Sequence, residues 1–140
     1  NVGVDPMPLA DVASGGEISR IMLALKQILA KSERLPILVF DEIDTGISGD
    51  MARKVGDSMH DLARYHQIIV ITHLPQIAAL GDVHFKVEKR VEAQRTKTVI
   101  RRLDEEEQAA QVATLISGAD ITDAALENAR ELMAAGKREE

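Results

Sequence analysis

Two short apolar runs, Ile37 to Phe40 and the one inside Gln67 to Thr72, constrain this chain more than any other feature. A continuous apolar run of that length suits a strand buried on both faces, as in a parallel sheet. Between the runs, from about Asp50 to Tyr65, Val55, Met59 and Leu62 recur at helical spacing. Strand, helix and strand in this order predict a βαβ unit, whose crossover is almost always right-handed. The fold class expected is α/β, with helices flanking a parallel-sheet core.

The flanking segments fill in the plan. Ile18, Ile21, Met22, Leu25, Ile28 and Leu29 make one apolar stripe on a helix running from Glu17, with Ser14, Gly15 and Gly16 at its N-terminal edge and Pro36 past its end. Before it, Pro6 and Pro8 predict an irregular lead-in over residues 1–13. After His73, Pro75 to Leu80 reads as a short helix with proline in its first turn. Val83 to Val91 and Lys97 to Leu103 read as two strands joined by a polar turn. A helix from Asp104 to Ser117 stops at Gly118. Thr122 caps a last helix through Ala135, Gly136 stops it, and Lys137 to Glu140 reads as a frayed tail.

Composition removes several classes of function. The 140 residues carry a formal net charge of -6, no cysteine and no tryptophan. No disulfide framework or thiolate metal site is possible, which fits a reducing compartment. No apolar run approaches the roughly 18 to 20 residues of a membrane span, and no signal peptide opens the chain. One Tyr and two Phe argue against an aromatic platform for stacked bases. From Lys86 to Arg102, however, Lys86, Lys89, Arg90, Arg95, Lys97, Arg101 and Arg102 face only Glu88 and Glu92. That local reversal of sign is either a phosphate-backbone contact or a solvated ribbon whose lysines guard its edge.

Three clusters carry chemistry. Asp41 and Glu42 end the first apolar strand, at the edge where open α/β sheets bind ligands. Adjacent strand residues point to opposite sides, so the two carboxylates serve different tasks. One can hold a hydrated Mg²⁺ and the other can polarise an attacking water; the plain alternative is two solvated acids. Ser14-Gly15-Gly16 at a helix N-terminus can approach an anion closely, or can be a loop with an N-cap serine. His73, directly after the second apolar run, faces the same sheet edge as Asp41 and Glu42 and can donate to a phosphate oxygen, or can be an ordinary surface residue.

The order and spacing of these clusters are more specific than any one of them. Ala13-Ser14-Gly15-Gly16-Glu17, then Ile37 to Glu42, then Asp44 in a glycine loop, then Ile71-Thr72-His73, resembles the second half of an ABC-type ATPase head. These segments correspond there to the signature motif, Walker B strand, D-loop and switch histidine. The runs 13–20, 40–49 and 72–78 narrow the likeness to the RecN family of bacterial SMC-like DNA-repair ATPases, over about Asn1 to Ala135. A phosphate-binding P-loop is missing: the only Gly-Lys pair is Gly136-Lys137, and the position five before Gly136 is Glu131. The expectation is therefore that residues 1–140 form the C-terminal half of a head. A P-loop lobe and a coiled coil would precede it in the full protein. A half-sheet of this kind is expected to expose an edge and an apolar face.

The resemblance implies a mechanism in which two heads sandwich ATP. Asp41 would organise Mg²⁺ through water and Glu42 would be the general base. His73 would contact the γ-phosphate. Ser14, Gly15, Gly16 and Glu17 would form the signature that binds the opposite head's ATP in trans, and Asp44 would link the two sites. The implied partners are the N-terminal P-loop lobe of the same protein, a second head in an ATP-dependent homodimer, and DNA undergoing double-strand break repair and recombination, with no membrane. The implied location is cytoplasmic and nucleoid-associated, and this segment by itself is expected to lack ATPase activity. The alternatives are a head lobe of another SMC-like or ABC ATPase, or a non-catalytic dimerisation or binding lobe.

Overall fold

The computed structural model describes residues 8, 13–29, 36–92 and 95–136. Most of the lead-in and the expected frayed tail lie outside these residues. The chain divides after Thr72 into two compact units, each described here by itself.

The first unit contains α1 (Gly15–Leu29), β1 (Ile37–Phe40), α2 (Gly49–Ala63) and β2 (Gln67–Val70). β1 and β2 pair in parallel, from Ile37 opposite Gln67 to Phe40 opposite Val70. The amide of Ile71 extends the ladder by donating to Phe40 O at 3.0 Å. The βαβ order is as the apolar runs required. α2 packs on β2 and α1 packs on α2. Ala52, Val55, Met59 and Leu62 bury the inner face of α2, and Leu38 and Phe40 bury one face of β1.

One expectation about burial needs correction. The strands are not buried on both faces: Val39 is 61% exposed, and Ile37, Ile69 and Ile71 share that exposure. Side chains alternate along a strand, so helices on one side of a two-stranded sheet can cover only every second residue. The apolar stripe of α1 also faces outward, with Ile28 79% exposed and Ile18, Ile21, Met22, Leu25 and Leu29 exposed with it. The inward face of α1 is instead Gly16, Ser19, Arg20 and Leu23, in which only Gly16 and Leu23 are fully buried. The exposed edge and apolar face expected of a half-sheet are both present.

The second unit contains α3 (Pro75–Ala78), β3 (Phe85–Glu92), β4 (Arg95–Arg102), α4 (Glu105–Ser117) and α5 (Asp123–Gly136). β3 and β4 form an antiparallel ribbon in which Lys86 faces Arg101 and Arg90 faces Lys97. Asp104 caps α4: its carboxylate accepts from Glu107 N at 2.9 Å, and Glu107 reaches back to Asp104 N at 3.0 Å. Gly118 takes φ 83° at the end of that helix, a conformation that glycine adopts without strain. Thr122 starts α5, its hydroxyl oxygen accepting from Ala125 N at 3.1 Å. Ala79, Val112, Ala113, Ala125 and Ala129 form the buried centre, ringed by Ile116, Leu126, Leu132 and Met133. Small side chains on facing helices allow the backbones to approach closely, so this core is made by shape more than by bulk.

Candidate functional site

The site in the first unit is built by docking the start of α1 onto the loop that leaves β1. Ser14 is the N-cap, and its carbonyl accepts the first helical bond from Ile18 N at 3.0 Å. Ser14 N and Ser14 Oγ both donate to Glu17 Oε2 at 2.8 Å, while Glu17 N approaches Ser14 Oγ at 3.3 Å. This is a capping box. The Ser14 amide, and then the Ser14 hydroxyl, hold the exposed Glu17 carboxyl below its ordinary value of 4.5. Glu17, grouped by sequence with the anion-binding residues, turns its carboxylate back on its own helix start.

Close approach requires glycine at position 16 and brings Gly15 against the Glu42 side chain. A Cβ on Gly15 would stand 2.5 Å from Glu42 Oε2. A Cβ on Gly16 would stand 2.8 Å from Glu42 O and 2.9 Å from Thr45 Cβ. The Glu42 contact at Gly15 is with a side-chain end that can rotate away, whereas the contacts at Gly16 are mainly with backbone. The Ser14-Gly15-Gly16 segment and the acidic loop of the same chain are thus in direct contact.

The acidic loop is held from several directions. Glu42 has φ 56°, the left-handed region that costs a non-glycine residue about 1–3 kcal/mol. Its amide donates to Asp41 Oδ1 at 2.9 Å, and its carbonyl accepts from Thr45 N at 3.0 Å. From α1, Ser19 Oγ donates to Asp41 O at 2.9 Å. Arg20 Nη1 donates to Ile43 O at 3.2 Å and to Thr45 O at 2.8 Å. The loop therefore presents Asp41 and Glu42 exposed while Ile43 and Asp44 are buried. Asp44, only 3% exposed, accepts from Thr72 Oγ1 at 2.6 Å, which ties the loop after β1 to the end of the first unit. His73 is the first residue of the second unit.

The structure thus brings Ser14, Gly15, Gly16, Glu17, Asp41, Glu42 and Asp44 into one corner of the first unit. Ser19, Arg20 and Thr72 belong to the same corner and were not singled out from the sequence. The signal for Ser19 and Arg20 was available: they lie three and four residues after Gly16, on the same helix face. Among the described residues, no group of three or more His, Asp or Glu side chains is arranged to hold a metal ion. Asp41 is a single exposed carboxylate, a donor set that suits a largely hydrated Mg²⁺ whose remaining ligands are waters and phosphate oxygens.

The ribbon is less positive than its composition. Glu88 pairs with Lys86 at 3.3 Å and with Arg90 at 3.0 Å, and Arg101 pairs with Glu107 at 2.5 Å. The opposite ribbon face carries Phe85, Val87 and Ile100, all more than 60% exposed, with Lys89 and Arg102 beside them. In the loop before β3, burial holds the His84 imidazolium below its ordinary value of 6.5, although Gly81 O lies 3.1 Å from Nε2. No described helix is long and apolar enough to cross a membrane.

Comparison with known proteins gives these contacts a family context. No protein-family model matches the chain. Curated relatives do: the DNA repair protein RecN of Deinococcus radiodurans is 47% identical over 134 residues, covering 96% of this chain and 23% of that protein. RecN of Halalkalibacterium halodurans is 41% identical over 133 residues, 95% of this chain and 24% of the relative. RecN of Bacillus subtilis is 38% identical over 133 residues, with 95% and 23% covered. The chain therefore spans about a quarter of the length of the relatives it matches, in their C-terminal region.

Proposed function

Because the chain is homologous to the RecN proteins over 95% of its length, we propose that it is the C-terminal lobe of an ABC-type ATPase head acting in DNA repair. The observation that carries this reading is the contact of Gly15 and Gly16 with Glu42 and Thr45, which puts the signature-like helix start and the paired carboxylates in one corner.

Within that reading the residues divide the work. Asp41 would hold Mg²⁺ through water, and the metal would supply charge neutralisation at the phosphates. Glu42, exposed at the end of β1, accepts a proton from the attacking water. His73 donates to the γ-phosphate. Ser14, Gly15 and Gly16 bind the nucleotide held by a second head. For Ser14 to donate to a phosphate, its hydroxyl hydrogen must turn away from Glu17 Oε2, while the two backbone bonds of the capping box can stay in place. Asp44 links the two nucleotide sites across the head dimer. The P-loop comes from the N-terminal lobe of the same protein, and DNA is the ultimate partner in break repair and recombination. The protein works in the bacterial cytoplasm, on the nucleoid.

Glu42→Gln in the full-length protein tests the reading. It is expected to abolish steady-state ATP hydrolysis while retaining ATP binding, and to trap an ATP-bound head dimer detectable by light scattering. Hydrolysis at the wild-type rate would refute the base assignment.

A further inference from the structure

The contacts between α1 and the acidic loop go beyond assigning ligands. Four backbone carbonyls of the loop, those of Asp41, Glu42, Ile43 and Thr45, are met by one face of α1. Gly16 abuts Glu42 O, Ser19 Oγ donates to Asp41 O, and Arg20 bridges Ile43 O and Thr45 O. A guanidinium is planar and presents fixed donors, so one that spans two carbonyls two residues apart sets the turn between them. The turn so held contains Asp44, and it begins at Glu42, whose φ of 56° persists only where surrounding contacts over-determine it. Arg20 is half-buried on the helix that Ser14 begins, and its guanidinium donates to two carbonyls of the turn.

We infer that Arg20 is a positioning residue that makes the Ser14–Glu17 helix start and the Glu42–Thr45 turn one rigid body within the chain. It transmits engagement of the helix start to the alignment of Glu42. This rests on the ATPase reading above. A ligand that draws Ser14-Gly15-Gly16 toward it must shift the turn as well, because Gly16 leaves no slack against Glu42 O and Arg20 prevents the turn from lagging. Loss of Arg20 uncouples the two without removing any group that touches nucleotide.

The test uses the full-length protein with Arg20→Gln, Arg20→Lys, Glu42→Gln and Gln27→Ala. Gln27 supplies the control tether, from α1 to Ser58 O at 3.1 Å on α2, away from the acidic loop. Arg20→Gln is expected to lower kcat for ATP by about 10- to 100-fold, the scale of a misplaced catalytic group. KM should stay within about twofold of wild type. Deuterium uptake at the 42–47 amides should rise. Arg20→Lys, whose shorter ammonium lacks the planar, fixed donor geometry, should recover part of kcat, and Gln27→Ala should leave kcat and that uptake unchanged. Unchanged uptake at 42–47 in Arg20→Gln overturns the inference, and so does a wild-type kcat in Arg20→Gln where Glu42→Gln has lost activity. An equal kcat loss in Gln27→Ala reduces Arg20 to general stability and also overturns it. If Glu42→Gln itself hydrolyses ATP normally, Glu42 is not the base and the positioning role falls with that assignment, whereas a wild-type protein that hydrolyses no ATP removes the ATPase reading itself.

Discussion

The two units of this chain solve the problem of burial in opposite ways. In the second, α4 and α5 close on a centre of alanines and one valine, with Val112, Ala113 and Ala129 completely buried. Both helices begin on side-chain caps, at Asp104 and Thr122. In the first, much of the apolar surface of α1 and of the parallel strands points outward, and polar side chains reaching backbone carbonyls hold the acidic loop. The contrast teaches that a closed core and a reactive corner need different materials. Close-packed small residues fix a helix pair, whereas a loop that must expose two carboxylates is fixed by hydrogen bonds to its carbonyls.

Substitutions in the two cores attack that contrast most strongly. Leu62→Ala, at a position 1% exposed on α2, should destabilise the chain by about 2–5 kcal/mol in chemical denaturation. A loss below about 1 kcal/mol would mean that the first unit has little core of its own. Ala129→Leu adds bulk where the second unit has none to spare, and should cost about 1–3 kcal/mol. If it stabilised instead, the alanine-lined centre would be under-filled rather than shaped.

The caps give a smaller effect. Asp104→Ala should cost about 1 kcal/mol. Its partner Glu107 is held below the ordinary 4.5, first by the Asp104 amide and then by Arg101. A carboxylate with a depressed folded value contributes stability above its unfolded value and loses it as pH falls through the folded one. The thermal midpoints of wild type and Glu107→Gln should therefore converge as pH drops below 4.5. A gap that persists in acid would assign the difference to packing. Smallest of all, Ile28→Ser on the outward stripe should change stability by less than about 0.5 kcal/mol. A large loss there would show that the stripe is covered, and would erase the contrast between the units.

Much of the fold was legible in the sequence because its signals are local. The apolar run Ile37–Phe40 coincides with β1, and Pro75, Gly118 and Thr122 mark helix ends where periodicity said they should. The capping pairs Ser14 with Glu17 and Asp104 with Glu107 share one spacing, and both form. The second apolar run overreached: Ile71 and Thr72 lie beyond β2, since β1 ends at Phe40 and gives the ladder no further strand. At the site, the sequence identified the carboxylates and the Ser14-Gly15-Gly16 run. It missed Ser19, Arg20 and Thr72, whose parts depend on carbonyls and a carboxylate 22 to 28 positions away.

The sequence by itself therefore determined which segments are helix and strand, where they stop, and which charged and small residues are available for chemistry. Those properties depend on dihedral preferences and on neighbours within one turn. Only the tertiary structure decided that the apolar stripe of α1 faces outward while Gly16, Ser19, Arg20 and Leu23 face in. Periodicity says that a helix has two faces but not which one the rest of the chain will meet. That choice is settled here by backbone carbonyls left unpaired where the strand ends, which a serine and an arginine satisfy and an isoleucine cannot.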